Sequence, residues 1–124
     1  MMDDYRRGWA LRYLREAKAE LEAAKKIPYM ASSLVLEAVR KARNAIYYSL
    51  GEPAFIEMML KEAIVDQRFE NDPILKYLVE IESIFNHLVQ LGDVDEEKAI
   101  KEADNIIKLA SEIVEIMLGE KIED

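Results

Sequence analysis

Glu37–Pro53 reads EAVRKARNAIYYSLGEP, and the spacing of its residues decides the fold. At about 100° per residue, Ala38, Val39, Ala42, Ala45, Ile46 and Ser49 fall on one side of a helix. Leu34 and Val35 extend that side upstream, and Leu50 closes it. Ala38, Ala42, Ala45 and Ser49 hold its centre, where side chains this small let a neighbouring helix approach closely. Ser32 or Ser33 can act as N-cap, Gly51 suits the position after the last turn, and Pro53 prevents the helix from continuing. A helix over about 30–50 with one apolar side needs other helices to cover it.

The rest of the chain supplies them. Ala10, Leu14, Ala17, Leu21 and Ala24 recur at alternating steps of four and three, the seam of a bundle helix over about 4–26. Trp9 and Tyr13 flank that seam, Asp3 and Asp4 can cap its start, and Pro28 breaks it. Residues 54–65, AFIEMMLKEAIV, form a short Met-rich helix whose Met58 and Met59 are expected to fill the core or an interface between copies. A charged loop over 66–73 leads to a helix over about 74–91, stopped by Gly92. Asp93 or Asp95 caps a last helix over about 95–118, stopped by Gly119, and the charged tail is expected to fray. The connections are short, so sequential helices are expected to pack antiparallel. The sequence therefore predicts one all-α domain over 1–124, an up-down bundle of four to five helices.

Composition narrows the function classes. There is no Cys, which excludes disulfides, thiolate zinc sites and thiol catalysis. No stretch approaches the roughly 18 uncharged apolar residues of a membrane span, and the N-terminus lacks an apolar signal core. The expectation is a cytoplasmic protein with no membrane partner. The net charge of −8 is uneven: residues 1–50 carry 10 Lys and Arg against 6 Asp and Glu, and the remainder 7 against 19. An acidic chain binds DNA nonspecifically only poorly, but a local basic face can still hold an anion or an acidic partner. Attraction between the two halves is the simplest use of the asymmetry.

Catalytic patterns fail on residue counts. His87 is the only histidine, and Ile84, not Glu, lies three residues before it, so a bundle di-iron motif is absent. No serine sits in a nucleophile elbow, and four isolated glycines cannot build a phosphate loop. The acidic clusters at 66–72 and 93–97 lack calcium-loop spacing. No residue set predicts a metal or a cofactor. What remains is the other side of 37–50. Arg40, Arg43, Asn44 and Tyr47 fall within about 100° of arc opposite the small-residue side, with Tyr48 beside them. Arg offers forked donors for carboxylate or phosphate, Asn and Tyr add orienting hydrogen bonds, and Arg with aromatics marks interfaces and base-stacking surfaces. These five residues are the candidate ligand- or partner-binding site, on a face expected to meet solvent in a lone monomer.

AKAELEAAKK, a loop and SSLVLEAVRKARNAIYYSLGEP resemble the HEPN superfamily of small helical proteins, in which the second helix carries small residues with Lys and Arg and ends in an apolar–Gly turn. The motif-level resemblance covers residues 10–53. It implies an all-α bundle, often dimeric, that acts as an RNase or as a binding partner of small nucleotidyltransferases. The RNase members carry Arg, four to six residues, then His near the start of the last long helix. Here the only late Arg is Arg68, and His87 lies 19 positions further on, so no RNase site can be carried over. The reading is a noncatalytic binding module that forms a homodimer, partnered by a nucleotidyltransferase or contacting nucleotide or RNA. The alternatives are an atypical nuclease or nucleotide-processing enzyme using Arg40, Arg43, Tyr47 and His87, which requires His87 and Arg43 to share a cleft, and a structural adaptor that docks helices through an exposed apolar patch.

Overall fold

Aspartate side chains cap the starts of three helices, and Pro or Gly marks other helix ends. In the computed structural model, which describes residues 3–67, 71–91 and 95–122, α1 spans Asp4–Lys26, and Asp3 Oδ1 accepts from the Arg6 N–H at 2.7 Å. A single 3₁₀ turn, Pro28–Met30, runs directly into α2, Ala31–Leu50. The expected serine cap is therefore not used: Ser32 and Ser33 already lie inside the helix, because the 3₁₀ turn supplies the preceding residues in helical register. Gly51 is extended, and its N–H donates to Tyr47 O at 3.0 Å. Pro53 bars α2 from continuing and begins α3, Pro53–Asp66, where a missing N–H costs nothing. Asp72 Oδ1 accepts from the N–H groups of Ile74 and Leu75 at the start of α4, Pro73–Leu91. Asp95 caps α5, Glu96–Leu118, which ends on Gly119 at φ 73°, a left-handed conformation that glycine adopts without strain. The expected stop at Gly92, the cap at Asp93, the Leu91 side chain, Arg68 and the last two residues of the tail lie outside the described residues.

The structure is all-α, with no strand among the described residues. Its centre is α2, which packs against each of the other four helices, most extensively against α1 and α5. Hydrogen bonds give the directions. Arg6 reaches Tyr48, and Lys41 reaches Glu16 and Glu20, so α1 and α2 run antiparallel. Arg7 pairs with Glu120 just past α5, so α5 also runs against α1. The small-residue side of α2 is buried throughout: Ala38, Ala42 and Ala45 have no exposed surface. Leu14, Val35, Val39, Ile46 and Val114 fill the layer between these three helices, each side chain contributing roughly 1.5–3 kcal/mol by burial.

α3 and α4 form a second layer on α2, and Leu60, Leu78, Ile81 and Leu88 join it to the common core. α4 packs on α2 and α3 and faces its chain neighbour α5 across a groove. α3 removes one of the two places expected for its methionines. Its buried residues are Leu60 and Ala63, whereas Phe55, Met58 and Met59 are about half exposed and Val65 more so. A helix lying on the rim of a bundle buries one narrow stripe, so these methionines do not fill the core.

Candidate functional site

The five candidate residues lie on two ridges of α2, and the structure separates the ridges. Arg43 and Tyr47, four apart, face α4. Arg40, Asn44 and Tyr48, at i, i+4 and i+8, face outward beside α1.

On the first ridge, one carboxylate takes up both polar groups. Glu82 Oε1 accepts from Arg43 Nη1 at 3.0 Å and from the Tyr47 phenol at 2.9 Å. The Arg43 guanidinium lies 4.8 Å from the Phe85 ring centre and 5.9 Å from that of Tyr47, within cation–π range. Tyr47 is only 3% exposed. The expectation that its ring meets solvent is corrected: α4 covers it, and a helical wheel of α2 alone cannot show which side α4 takes. Burial raises the Tyr47 phenol, and the neighbouring Glu82 charge raises it further. The phenol therefore stays protonated as a donor to Glu82. A ligand at Arg43 or Tyr47 has to displace Glu82 first.

The second ridge belongs to an aromatic surface. Tyr5, Trp9 and Tyr13, also at i, i+4 and i+8, form the opposing ridge on α1. Tyr48 stacks on Trp9 at 6.0 Å and on Tyr13 at 5.7 Å, with interplanar angles of 20° and 22°. Trp9 and Tyr13 are 5.6 Å apart, and Tyr5 meets Trp9 and Tyr48 edge-on at 6.4 and 6.5 Å. Tyr5 is 65% exposed, and Trp9, Tyr13 and Tyr48 are half-buried. Burial and the neighbouring Tyr5 raise the Tyr48 phenol.

Cations frame this surface. Arg12 lies 4.9 Å over the Trp9 ring while its Nε donates to Glu16 at 2.8 Å. Arg40 is bidentate on Glu37, at 3.0 and 2.7 Å, and that hydrogen bond holds the Glu37 carboxyl below its ordinary value and raises the guanidinium. Lys41 bonds Glu20 and Glu16 at 2.9 Å each, which raises the ammonium; the Lys41 and Arg12 bonds lower Glu16. Arg6 donates to the Tyr48 and Ser49 carbonyls at 3.0 and 3.2 Å, capping the negative end of α2 from another helix. Asn44, half-buried between Arg40 and Tyr48, makes no side-chain hydrogen bond among the described residues.

Tyr5, Trp9, Arg12 and Tyr13 were not among the candidates that the sequence analysis singled out. The signal was present as the four-residue repeat of aromatic rings on α1, but only the antiparallel packing of α1 and α2 sets it against Tyr48. His87 is exposed and stands apart from both ridges. It follows Glu82 by five residues, about 140° around α4, and so points away from Arg43 and Tyr47. The chain matches no known family model, no characterised protein and no solved structure. No helix among the described residues is long and apolar enough to cross a membrane.

Proposed function

We propose that the protein is a noncatalytic, HEPN-like helical binding module that acts as a homodimer and docks a protein partner on the α1–α2 aromatic surface. The observation that carries this reading is the four-ring cluster of Tyr5, Trp9, Tyr13 and Tyr48, framed by Arg12 and Arg40 and left half-open to solvent. Tyr, Trp and Arg are the residues that dominate binding energy at protein interfaces, and rings already packed on each other lose little freedom when a partner arrives. The HEPN resemblance of residues 10–53 makes a small nucleotidyltransferase the partner to try first. Arg43 and Tyr47, turned toward α4 and held by Glu82, lie outside the proposed contact.

Homodimer formation draws on a different face. Phe55, Met58 and Met59 on α3 present exposed apolar area that a second copy can cover. The same area supports the adaptor reading if another protein covers it instead. The stacked Trp9, Tyr48 and Tyr13 rings favour a nucleotide or RNA contact as the second reading, since bases stack on such rings. The enzymatic alternative loses its proton-transfer group, because His87 points away from Arg43.

Trp9 is the only tryptophan, so its emission reports directly on the proposed surface. Titration with a small nucleotidyltransferase is expected to shift that emission. The double change Trp9→Phe and Tyr48→Ala removes the reporter, so its affinity is read by titration calorimetry; it should weaken the complex by about tenfold or more. A complex that forms with unchanged Trp9 emission and tolerates the double change overturns the assignment. A shift produced instead by a short single-stranded RNA selects the second reading. Light scattering on the eluting protein should give twice the chain mass, and Met59→Glu should return it to the chain mass.

A further inference from the structure

α4 and α5 each pack on α2, and an open groove of about 210 Å³ lies between them. Its floor is Ile81 and Ile106, both almost fully buried, and its walls include Ile84 and Leu109. Tyr77, 40% exposed, stands at the α4 edge. The charged side chains lining the groove are Glu80 and Glu102, one from each helix. Neither makes an ion pair or a hydrogen bond among the described residues, whereas Glu16, Glu20, Glu37 and Glu82, on the other seams, are all paired. On α5 the groove-facing stripe continues through Glu112 to Ile116, which is 72% exposed and falls on the same side at the spacing of successive turns.

We propose that this groove docks a cationic amphipathic helix of a partner protein, with its apolar stripe on Ile84 and Leu109 and its Lys or Arg flanks against Glu80 and Glu102. The walls are helices whose backbone groups are already bonded internally, so an extended strand gains no main-chain pairing there; a helix lays an apolar face into such a groove. Charge selects the occupant. The apolar floor lies between unpaired carboxylates, within a half of the chain that carries 19 acidic against 7 basic residues. A second copy of this chain cannot supply the match. Its basic helices, α1 and α2, bury their apolar stripes in the core. Its exposed apolar helix, α3, carries Glu57 and Glu62 against the single Lys61. The groove is separate from the α1–α2 surface and does not depend on the role given to that surface.

The probe is a fluorescein-labelled peptide of about 18 residues, five helical turns, with Leu at i, i+3, i+4 and i+7 and Lys and Ala elsewhere. A matched peptide has Glu in place of every Lys. Anisotropy titrations with the full chain should show saturable binding of the Lys peptide and at least about tenfold weaker binding of the Glu peptide. The double variant Glu80→Lys and Glu102→Lys, at surface positions, should reverse that preference. Asn105→Trp fills the groove without changing its charge and should weaken the Lys peptide by a similar factor. Unchanged peptide helicity and melting of the variants by circular dichroism would show that the bundle itself is intact. The proposal is overturned if the Lys peptide binds both variants as it binds the parent chain. It is overturned equally if binding is lost in the Trp9→Phe, Tyr48→Ala variant instead, or if the groove variants abolish self-association, which would make the occupant a second copy.

Discussion

Glu82 Oε1 accepts two hydrogen bonds at once, and the consequences of removing each partner differ. Tyr47→Phe removes one donor and leaves the ion pair, so it should cost about 1 kcal/mol. Glu82→Ala strands a phenol and a guanidinium whose Nε already lacks a hydrogen-bond partner, and should cost about 2–3 kcal/mol. Urea unfolding of the two variants measures both values, and the order matters more than the size. The phenol also responds to pH. An unfolded tyrosine titrates at about 10, and burial with the Glu82 charge raises Tyr47 above that in the folded protein. The folded state thus holds a proton that the unfolded state releases. The stability from this group is complete below about pH 10 and is lost as pH rises further. Urea midpoints between about pH 9 and about pH 11 should fall less steeply in Tyr47→Phe than in the parent chain. Lys41 and Tyr48 are also raised and contribute to the parent slope, but they remain in the variant, so the difference belongs to Tyr47.

α2 is the helix on which the rest of the fold is built. Its small-residue side was legible in the sequence because a 3.6-residue period and small volume leave few other readings, and Ala38, Ala42 and Ala45 are indeed fully buried. Ala42→Leu should therefore destabilise by about 1–3 kcal/mol through overpacking against its neighbours, measured as a lowered urea midpoint. Helix extents were legible too, since Pro28, Pro53, Pro73 and Gly119 punctuate the chain. Which faces stay open to solvent was not. Tyr47 read as solvent-facing and is covered by α4; Met58 and Met59 read as filling either the core or an interface between copies, and they lie half-exposed outside the core. Periodicity tells which residues share a face. It does not tell which face a later helix covers, because that depends on long-range packing. The candidate site was half legible for the same reason: Arg40, Asn44 and Tyr48 were named, but their aromatic counterpart on α1 emerges only when the two helices pair.

For the whole molecule, the layers should differ in local stability. α1, α2 and α5 share the main core, whereas α3 and α4 touch it through fewer buried residues and leave long faces open. Amide hydrogen exchange should be slowest in α2 and its flanking segments of α1 and α5, and faster throughout α3 and α4. Uniform protection across all five helices would mean that the second layer is as firmly held as the first. The charge asymmetry is partly met within the chain, where Arg43 meets Glu82 in a part-buried pair and Arg7 meets Glu120 at the surface, each across the two halves.

Arg6 gives the molecule an order of assembly as well as a cap. It is made before α2 and it binds the carbonyls of Tyr48 and Ser49. When Leu50 has left the ribosome, the α1–α2 hairpin owns every group needed to tie its two ends together. α5 is still unmade, and at usual synthesis rates it follows on the order of several seconds later. During that interval the side of the hairpin destined for α5 stands uncovered. Because Ala38, Ala42 and Ala45 carry only methyl groups on the buried side of α2, a neighbouring helix can lie close against it, and a hairpin closed that tightly offers a passing chain less apolar surface to grip than one built on leucines. The residues that permit close packing in the finished bundle thus also shelter the nascent hairpin until α5 arrives.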